Sequence, residues 1–333
     1  MTKVGICVNP MSGRDVRRLA GRASNMTHEM KRDMVARIAV GADAVGVSEL
    51  YIAKEPFSIS NRALEHIALK AQVHTIEFPI THSALDTEHI IQAFVDAGCT
   101  SIVSIGGDGT NRAIVRKCRE ITLIPLSTGT NNVFPKMLEP TSAGMVAAIV
   151  AKLSEVSRGQ QQIDALCKRC KVIEIRVGDA SDVALIDAVV LRDDHVGNLL
   201  PFDPERLDRM LLTRAEPDAM GMSPIGGYIE TVEASDNCGL LVEMGGSEPF
   251  TVPVSPGLFG SVSVKRVCKI EFGQELVFGG PGVLAMDGDR DFKISPEQPA
   301  HLKISRAGPK IPDITRCMQH AVEIGMIGAL AHG

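Results

Sequence analysis

Tryptophan is absent from the 333 residues, tyrosine occurs only at Tyr51 and Tyr228, and all aromatics together make up 4% of the chain. Stacking of an adenine or nicotinamide ring is therefore not written in the composition, and aliphatic or methionine walls would have to do that work. Basic charge is not in excess either. The 35 Lys and Arg against 40 Asp and Glu leave a net charge of −5, with a pI near 6.0. That balance gives no general handle for nucleic acid or anionic lipid, so any phosphate binding must be local. No apolar run approaches the roughly 18 residues of a membrane span, and the start MTKVGICVNP has neither the basic nor the apolar region of a signal peptide. The eight cysteines lack the dense spacing of a secreted scaffold, which points to a reducing cytoplasm. Cys167 and Cys170 form a single C-x-x-C with no second pair at zinc-site spacing, and the nine histidines show no H-x-x-x-H. Plain thiols are the simpler reading of that pair.

What is present is an ordinary globular composition, 44% hydrophobic and 23% charged. At about 150 residues per domain, the length suggests two domains. From residue 1 to about 135, short β-branched runs alternate with helical patterns. Strands are expected at Val4 to Asn9, Glu49 to Ala53, Val73 to Phe78, Ser101 to Ile105 and Thr122 to Leu126. Helices are expected at Asp15 to Arg22, His28 to Ala44, Ser60 to Lys70, Asp86 to Ala97 and Asn111 to Lys117. Strand and helix in alternation imply an α/β domain with a parallel sheet covered on both faces. Ligands of such sheets sit at the carboxyl ends of the strands. Those ends carry polar or glycine-rich turns at Asn9 to Gly13, Gly106 to Thr110 and Ser127 to Thr130.

After a helical stretch from Ser142 to Ser157 the texture changes. Runs at Val172 to Val177, Val183 to Val190, Gly239 to Met244, Val267 to Phe272 and Ala300 to Ile304 read as a β-rich, mostly antiparallel second domain. The expected division is residues 1–138, 139–305 and a C-terminal segment 306–333. The Pro- and Gly-containing stretch Leu138 to Gly144 marks the first boundary. Helical period over Asp313 to Leu330 suggests a terminal helix that docks back on the first domain.

The strongest motif is Gly106-Gly107-Asp108-Gly109-Thr110-Asn111, between an expected strand and an expected helix. Chance occurrence of this hexapeptide in such a chain is on the order of 10⁻⁵. Glycines let the backbone approach a phosphate, and the N–H groups of the following helix face the anion. A carboxylate in the middle suits proton acceptance from an attacking hydroxyl, or Mg²⁺ held through water. The competing reading makes Asp108 a helix cap. A second constellation, Ser127-Thr128-Gly129-Thr130-Asn131-Asn132, supplies hydroxyls and amides for nucleotide groups. A third, Asn9-Pro10-Met11-Ser12-Gly13-Arg14, turns the first strand into a helix, with a guanidinium suited to phosphate.

These three turns, in this order, resemble the NAD kinase/diacylglycerol kinase-like superfamily, whose shared mark is G-G-D-G-T. The match looks closest to the ATP-NAD kinase-like proteins encoded with acetoin catabolism. The resemblance implies ATP and Mg²⁺ bound between two domains, with Asp108 as the catalytic or metal-organising acid. Gly106, Gly107, Gly109 and Thr110 would hold phosphate, with Asn9, Ser12, Gly13, Arg14, Asn111, Thr128, Gly129, Thr130 and Asn131 as further nucleotide contacts. Far downstream, Asp287-Gly288-Asp289-Arg290 is similar to the family's D-G-E or D-G-Q turn. That likeness makes Asp287 and Asp289 a second acidic element, with Asp289 joining Asp108 at the metal. By itself Asp-Gly is a hairpin turn signal. Gly221 to Tyr228 falls where NAD kinases carry T-P-T-G-S-T-A-Y, but most of the hydroxyls are missing. No N-E-x-x-x-R counterpart is visible.

Two classes of function follow. One is an ATP-dependent kinase that phosphorylates a hydroxyl, with NAD as the favoured acceptor and a lipid or small polyol as the runner-up. The other is a nucleotide-binding accessory protein that kept the fold and lost transfer chemistry. The expected partners are a small-molecule nucleotide and further copies of the same chain as a homo-oligomer, with neither nucleic acid nor membrane.

Overall fold

The computed structural model describes residues 1–13, 25–129, 132–200 and 202–328. Its first layer is a sheet of strands β1 (Lys3–Val8), β2 (Glu49–Ala53), β3 (Gln72–Ile76), β4 (Ser101–Gly106) and β5 (Thr122–Ser127), all parallel. The order across the sheet begins β3-β2-β1-β4-β5. The chain thus runs outward from β1 on one side and then restarts on the other. That reversal creates a switch point between the carboxyl ends of β1 and β4. Helices α1 (His28–Val45), α2 (Ile59–Leu64), α3 (Ala84–Asp96), α4 (Asp108–Lys117), α5 (Pro140–Ser154) and α6 (Gly159–Leu166) accompany the sheet. Buried side chains form two apolar layers, one on each face. Val4, Ile6, Ile38 and Ile149 lie in one layer, and Ile91, Phe94, Ile102 and Ile114 lie in the other.

Local sequence explains the helix ends. The Thr27 side chain accepts from the Met30 N–H at the start of α1, and Gly46 ends it with φ 87°, a left-handed turn that glycine adopts without strain. Helices α1 and α5 then pack unusually closely. A Cβ on Gly144 would lie 2.0 Å from the Ile38 carbonyl oxygen, and one on Gly41 would lie 2.2 Å from that of Thr141. The stretch Leu138 to Gly144 is no open linker, since Pro140 begins α5 under a Glu139 cap.

The rest of the chain is mainly strand. It comprises β6 (Cys167–Arg169), β7 (Val172–Val177), β8 (Ala180–Ala184), β9 (Asp187–Leu191), β10 (Leu207–Leu212), β11 (Cys238–Ser255), β12 (Leu258–Glu271), β13 (Glu275–Phe278), β14 (Gly282–Met286), β15 (Asp289–Ile294), β16 (Ala300–Ser305) and β17 (Lys310–Pro312). Short helix α7 (Ser223–Gly227) and helix α8 (Ile314–Glu323) complete it. Two antiparallel sheets result, of order β12-β11-β10-β9-β14-β15 and β13-β16-β7-β8. They pack face to face. Along β9, Ala188 and Val190 point into the layer shared with Ile173, Leu302 and Ile304, while Val189 and Leu191 point to the other face with Leu240 and Ile225. This is the period-two alternation of a strand buried on both sides. Strand β17 lies beside β5 in the first sheet and is followed there by β6. Cys317 and Ala321 of α8 join the core layer of α1 and α5.

Several elements differ from the sequence expectation. The helix expected over Ser60 to Lys70 ends at Leu64, because the inward residues beyond it, Ile67, Leu69 and Ala71, come at two-residue spacing. Val183 to Val190 is not one strand but two, broken at Leu185 and Ile186, whose N–H groups turn to the Asp287 carboxylate. The expected runs around Gly239 and Val267 are parts of one long hairpin, β11 and β12. Pro249 and Pro253 fall within β11, in a stretch where its register against β12 shifts repeatedly. The helix expected from Asp313 to Leu330 spans Ile314–Glu323, and the one expected over Asp15 to Arg22 lies outside the described residues.

Candidate functional site

The carboxyl ends of all five parallel strands open into one cleft of about 780 Å³. Its walls include the Asn9–Gly13 turn after β1, Glu55 and Phe57 after β2, Phe78 and His82 after β3, Gly107 to Thr110 after β4, and Thr128 with Asn132 after β5. Asp287 and Asp289 reach it from the β14–β15 turn of the six-stranded sheet. A cleft of that size is in the range of cofactor sites.

The Gly106–Asn111 motif is packed into its conformation. A Cβ on Gly106 would meet the Thr110 side chain at 2.5 Å, and one on Gly107 would meet Asn132 Oδ1 at 2.8 Å. Helix α4 starts at Asp108 with no side-chain cap on its first turn. Its opening N–H groups therefore face the cleft with the positive end of the helix dipole. Asn111 is a correction to the expected nucleotide contacts. It is fully buried, accepts from Ser104 Oγ at 2.6 Å and donates to the Gly107 carbonyl at 2.8 Å, so it fixes the turn from behind.

Asp108 does not cap α4. Its carboxylate instead accepts the backbone N–H of Val133 at 3.1 Å and of Phe134 at 2.9 Å, tying down the segment after β5. Burial lifts its pKa, against the pull of those two N–H groups and of the Arg214 and Lys136 charges. Asp287 occupies a left-handed position (φ 49°) followed by Gly288 (φ 93°), the geometry of a tight hairpin turn. Its oxygens accept from the N–H groups of Leu185, Ile186 and Asp187 at 2.7 to 3.2 Å. Burial and the charge of Asp108 raise its pKa, while Arg112 and the backbone donors oppose them, with a net result of about 7. Asp289 is more open, its side chain 44% exposed and 4.0 Å from Arg112.

The turn after β1 is built from its own polar groups. Asn9 donates to Thr110 Oγ1 at 2.8 Å, linking the β1 turn to the glycine turn after β4, and accepts from the N–H groups of Met11 and Ser12. Lys31, fully buried on α1, donates to the carbonyls of Asn9, Pro10 and Ser12 at 2.7 to 2.8 Å. Thr128 is buried on the cleft wall, and its Oγ1 has no hydrogen-bond partner among the described residues. Arg14, Thr130 and Asn131 lie outside the described residues.

Several residues at the site carry no signal in the sequence reading. Arg112, four residues after Asp108, is buried and joins α4 to the second layer through Asp182, Asp291 and the carbonyls of Val183 and Met286. Its position one helical turn after Asp108, on the same face of the helix, is the clue that was available. Arg290, directly after Asp289, pairs with Asp194 at 2.9 Å and holds the carbonyls of Asn198 and Leu200, which fixes a second wall of the cleft. Phe57, Phe78 and His82 supply the rings that composition alone did not promise.

Among the described residues, no group of three or more His, Cys, Asp or Glu is arranged to hold a metal ion. Cys167 and Cys170 are buried free thiols, and burial pushes them up to about 11 and 12. No described helix is long and apolar enough to cross a membrane.

Residues 4–155 match the ATP-NAD kinase N-terminal domain model, and residues 171–307 match the acetoin catabolism protein X C-terminal domain model. Acetoin catabolism protein X of Cupriavidus necator is 29% identical, over 96% of this chain and 92% of that protein. A solved structure provisionally assigned as a diacylglycerol kinase from Bacillus anthracis str. Sterne superposes with a TM-score of 0.48 at 12% identity. The match covers 93% of this chain and 97% of that one.

Proposed function

From a chain that joins an ATP-NAD kinase N-terminal domain to an acetoin catabolism protein X C-terminal domain, we propose an ATP-dependent kinase that transfers a phosphoryl group to a hydroxyl, with NAD as acceptor. The observation that carries this reading is the meeting of an uncapped α4 N-terminus, Asp108, and the Asp287–Asp289 turn in one cleft at the sheet's switch point. Phosphate oxygens suit the uncapped N–H groups of α4 and the Thr128 hydroxyl, which has no partner among the described residues. The rings of Phe57, Phe78 and His82 offer a wall for a base.

Asp108 is the proton acceptor in this reading. Burial already raises its pKa, which brings a carboxylate closer to the pH at which it can take a hydroxyl proton. The cation that accompanies ATP fits here only as one carried in on the nucleotide, because Mg²⁺ is commonly held by one or two carboxylates together with phosphate oxygens. Asp108 and the partly exposed Asp289 are the carboxylates that would hold it, and it would neutralise charge on the transferred group.

A second reading, a nucleotide-binding accessory protein of acetoin catabolism, has one observation in its favour. Both Asp108 oxygens already accept backbone N–H groups, as a purely structural carboxylate would. One experiment separates the two. Purified protein is incubated with ATP, Mg²⁺ and NAD beside an Asp108→Asn variant, and NADP and ADP are followed by chromatography. NADP from the wild type alone supports the kinase and the role of Asp108. ADP without NADP means transfer to water, and directs the search to another acceptor such as a lipid or polyol hydroxyl. ATP binding in calorimetry with neither product overturns the kinase in favour of the accessory protein.

A further inference from the structure

A second cavity of about 720 Å³ lies where β5, β6 and β17 meet the loop after β10, and it shares no lining residue with the nucleotide cleft. Its apolar wall comes from Ile124, Phe134, Leu138 and Ile311. Arg214 enters this wall with its side chain nine-tenths buried. The guanidinium Nε has no hydrogen-bond partner among the described residues, and the nearest acid, Glu216, stands 3.9 Å away. Its other neighbour is the Phe134 ring, 6.0 Å from the guanidinium carbon. A buried guanidinium Nε–H without a hydrogen-bonded partner is costly, and an oxyanion that accepts from it removes the cost. Lys136, exposed at the edge of the cavity, adds a second positive charge. The opposite wall is held in place without using these charges, since Arg306 donates to the carbonyls of Ala234, Ser235 and Asp236.

We propose that this cavity is a binding site for a small organic anion, with an oxyanion head on Arg214 and Lys136 and an apolar body against Phe134 and Ile311. The site is separate from the phosphoryl-transfer cleft and does not depend on the kinase reading.

The test is calorimetric titration of the full chain with phenyl phosphate, benzoate and uncharged benzyl alcohol, with and without saturating ATP. At least one of the two anions is expected to bind at a single site, at least tenfold tighter than benzyl alcohol and undisturbed by ATP, and the tighter of the two identifies the head group as phosphate or carboxylate. Arg214→Gln is expected to weaken it at least tenfold, and the exposed substitution Lys136→Gln about threefold. Should Arg214→Gln fail to fold, Lys136→Gln carries the test. Wild-type affinity in the folded variants, displacement by ATP, or benzyl alcohol binding as well as the anions would overturn the proposal.

Discussion

The charge of Asp108 reaches Asp287 across the cleft, so that a carboxyl on the parallel sheet's glycine turn and one on a hairpin of the antiparallel sheet titrate as partners. Burial is the larger cause of the Asp287 shift, and together they lift it to about 7 in spite of Arg112 and three backbone N–H donors. In the unfolded chain the same group returns to the ordinary carboxylate range.

A pH dependence follows. With the folded pKa above the unfolded one, the native state binds the extra proton between about pH 4 and 7, so stability falls as pH rises through that window. The Asp287→Asn variant cannot titrate there. Melting temperatures from pH 5 to 8 should decline more steeply for the wild type than for Asp287→Asn, and parallel slopes would refute the shift.

Lys31→Met should cost about 3 kcal/mol in urea unfolding, since it leaves three carbonyls of the Asn9–Ser12 turn without their charged donor. ATP affinity should fall with it, because the turn forms one wall of the cleft. A loss below about 0.5 kcal/mol would mean that water replaces the ammonium group.

At Gly144 two effects oppose each other. Alanine in a helix interior gains about 1 kcal/mol over glycine, but its Cβ would fall 2.0 Å from the Ile38 carbonyl oxygen. Pushing α1 and α5 apart costs about 1–3 kcal/mol or more, so Gly144→Ala should destabilise. A melting temperature equal to or above the wild type would show that the helices can slide.

Thr128 should separate binding from folding. Thr128→Val removes a buried hydroxyl that has no partner among the described residues, so stability should hold or rise by up to about 1 kcal/mol. Nucleotide affinity should drop roughly fivefold to tenfold, the value of one hydrogen bond. Calorimetry with ATP on both proteins checks this, and unchanged affinity would remove Thr128 from the phosphate cradle.

The parallel sheet was legible because strands buried on both faces are unbroken β-branched runs between turn residues, as in Ser101 to Ile105. The glycine turn was legible because its spacing leaves few structural alternatives. Lys31 was not, because a lysine within a helix reads as solvent-facing, although its place three and four residues before Met34 and Val35 puts it on the buried face. Asn111 read as a ligand and proved a brace, since polarity alone cannot tell a side chain aimed at the cleft from one aimed at Ser104. The break between β8 and β9 depends on a carboxylate about 100 residues away, which no local pattern reports.

Strand β17 closes the first sheet by pairing Lys310 with Thr122 of β5 and by carrying β6 on its other side. During synthesis at about 5–20 residues per second, the 182 residues between Ser127 and Lys310 take on the order of 10 to 40 seconds to appear. For that interval the Thr122 end of the β5 edge lacks its native neighbour, although Lys136 already pairs with Pro125 and Ser127 on the same edge and the residues of β1 to β4 are made. A growing chain must shield that edge from other chains before its own last segment arrives. The sheet that carries the cleft is thus begun first and finished last.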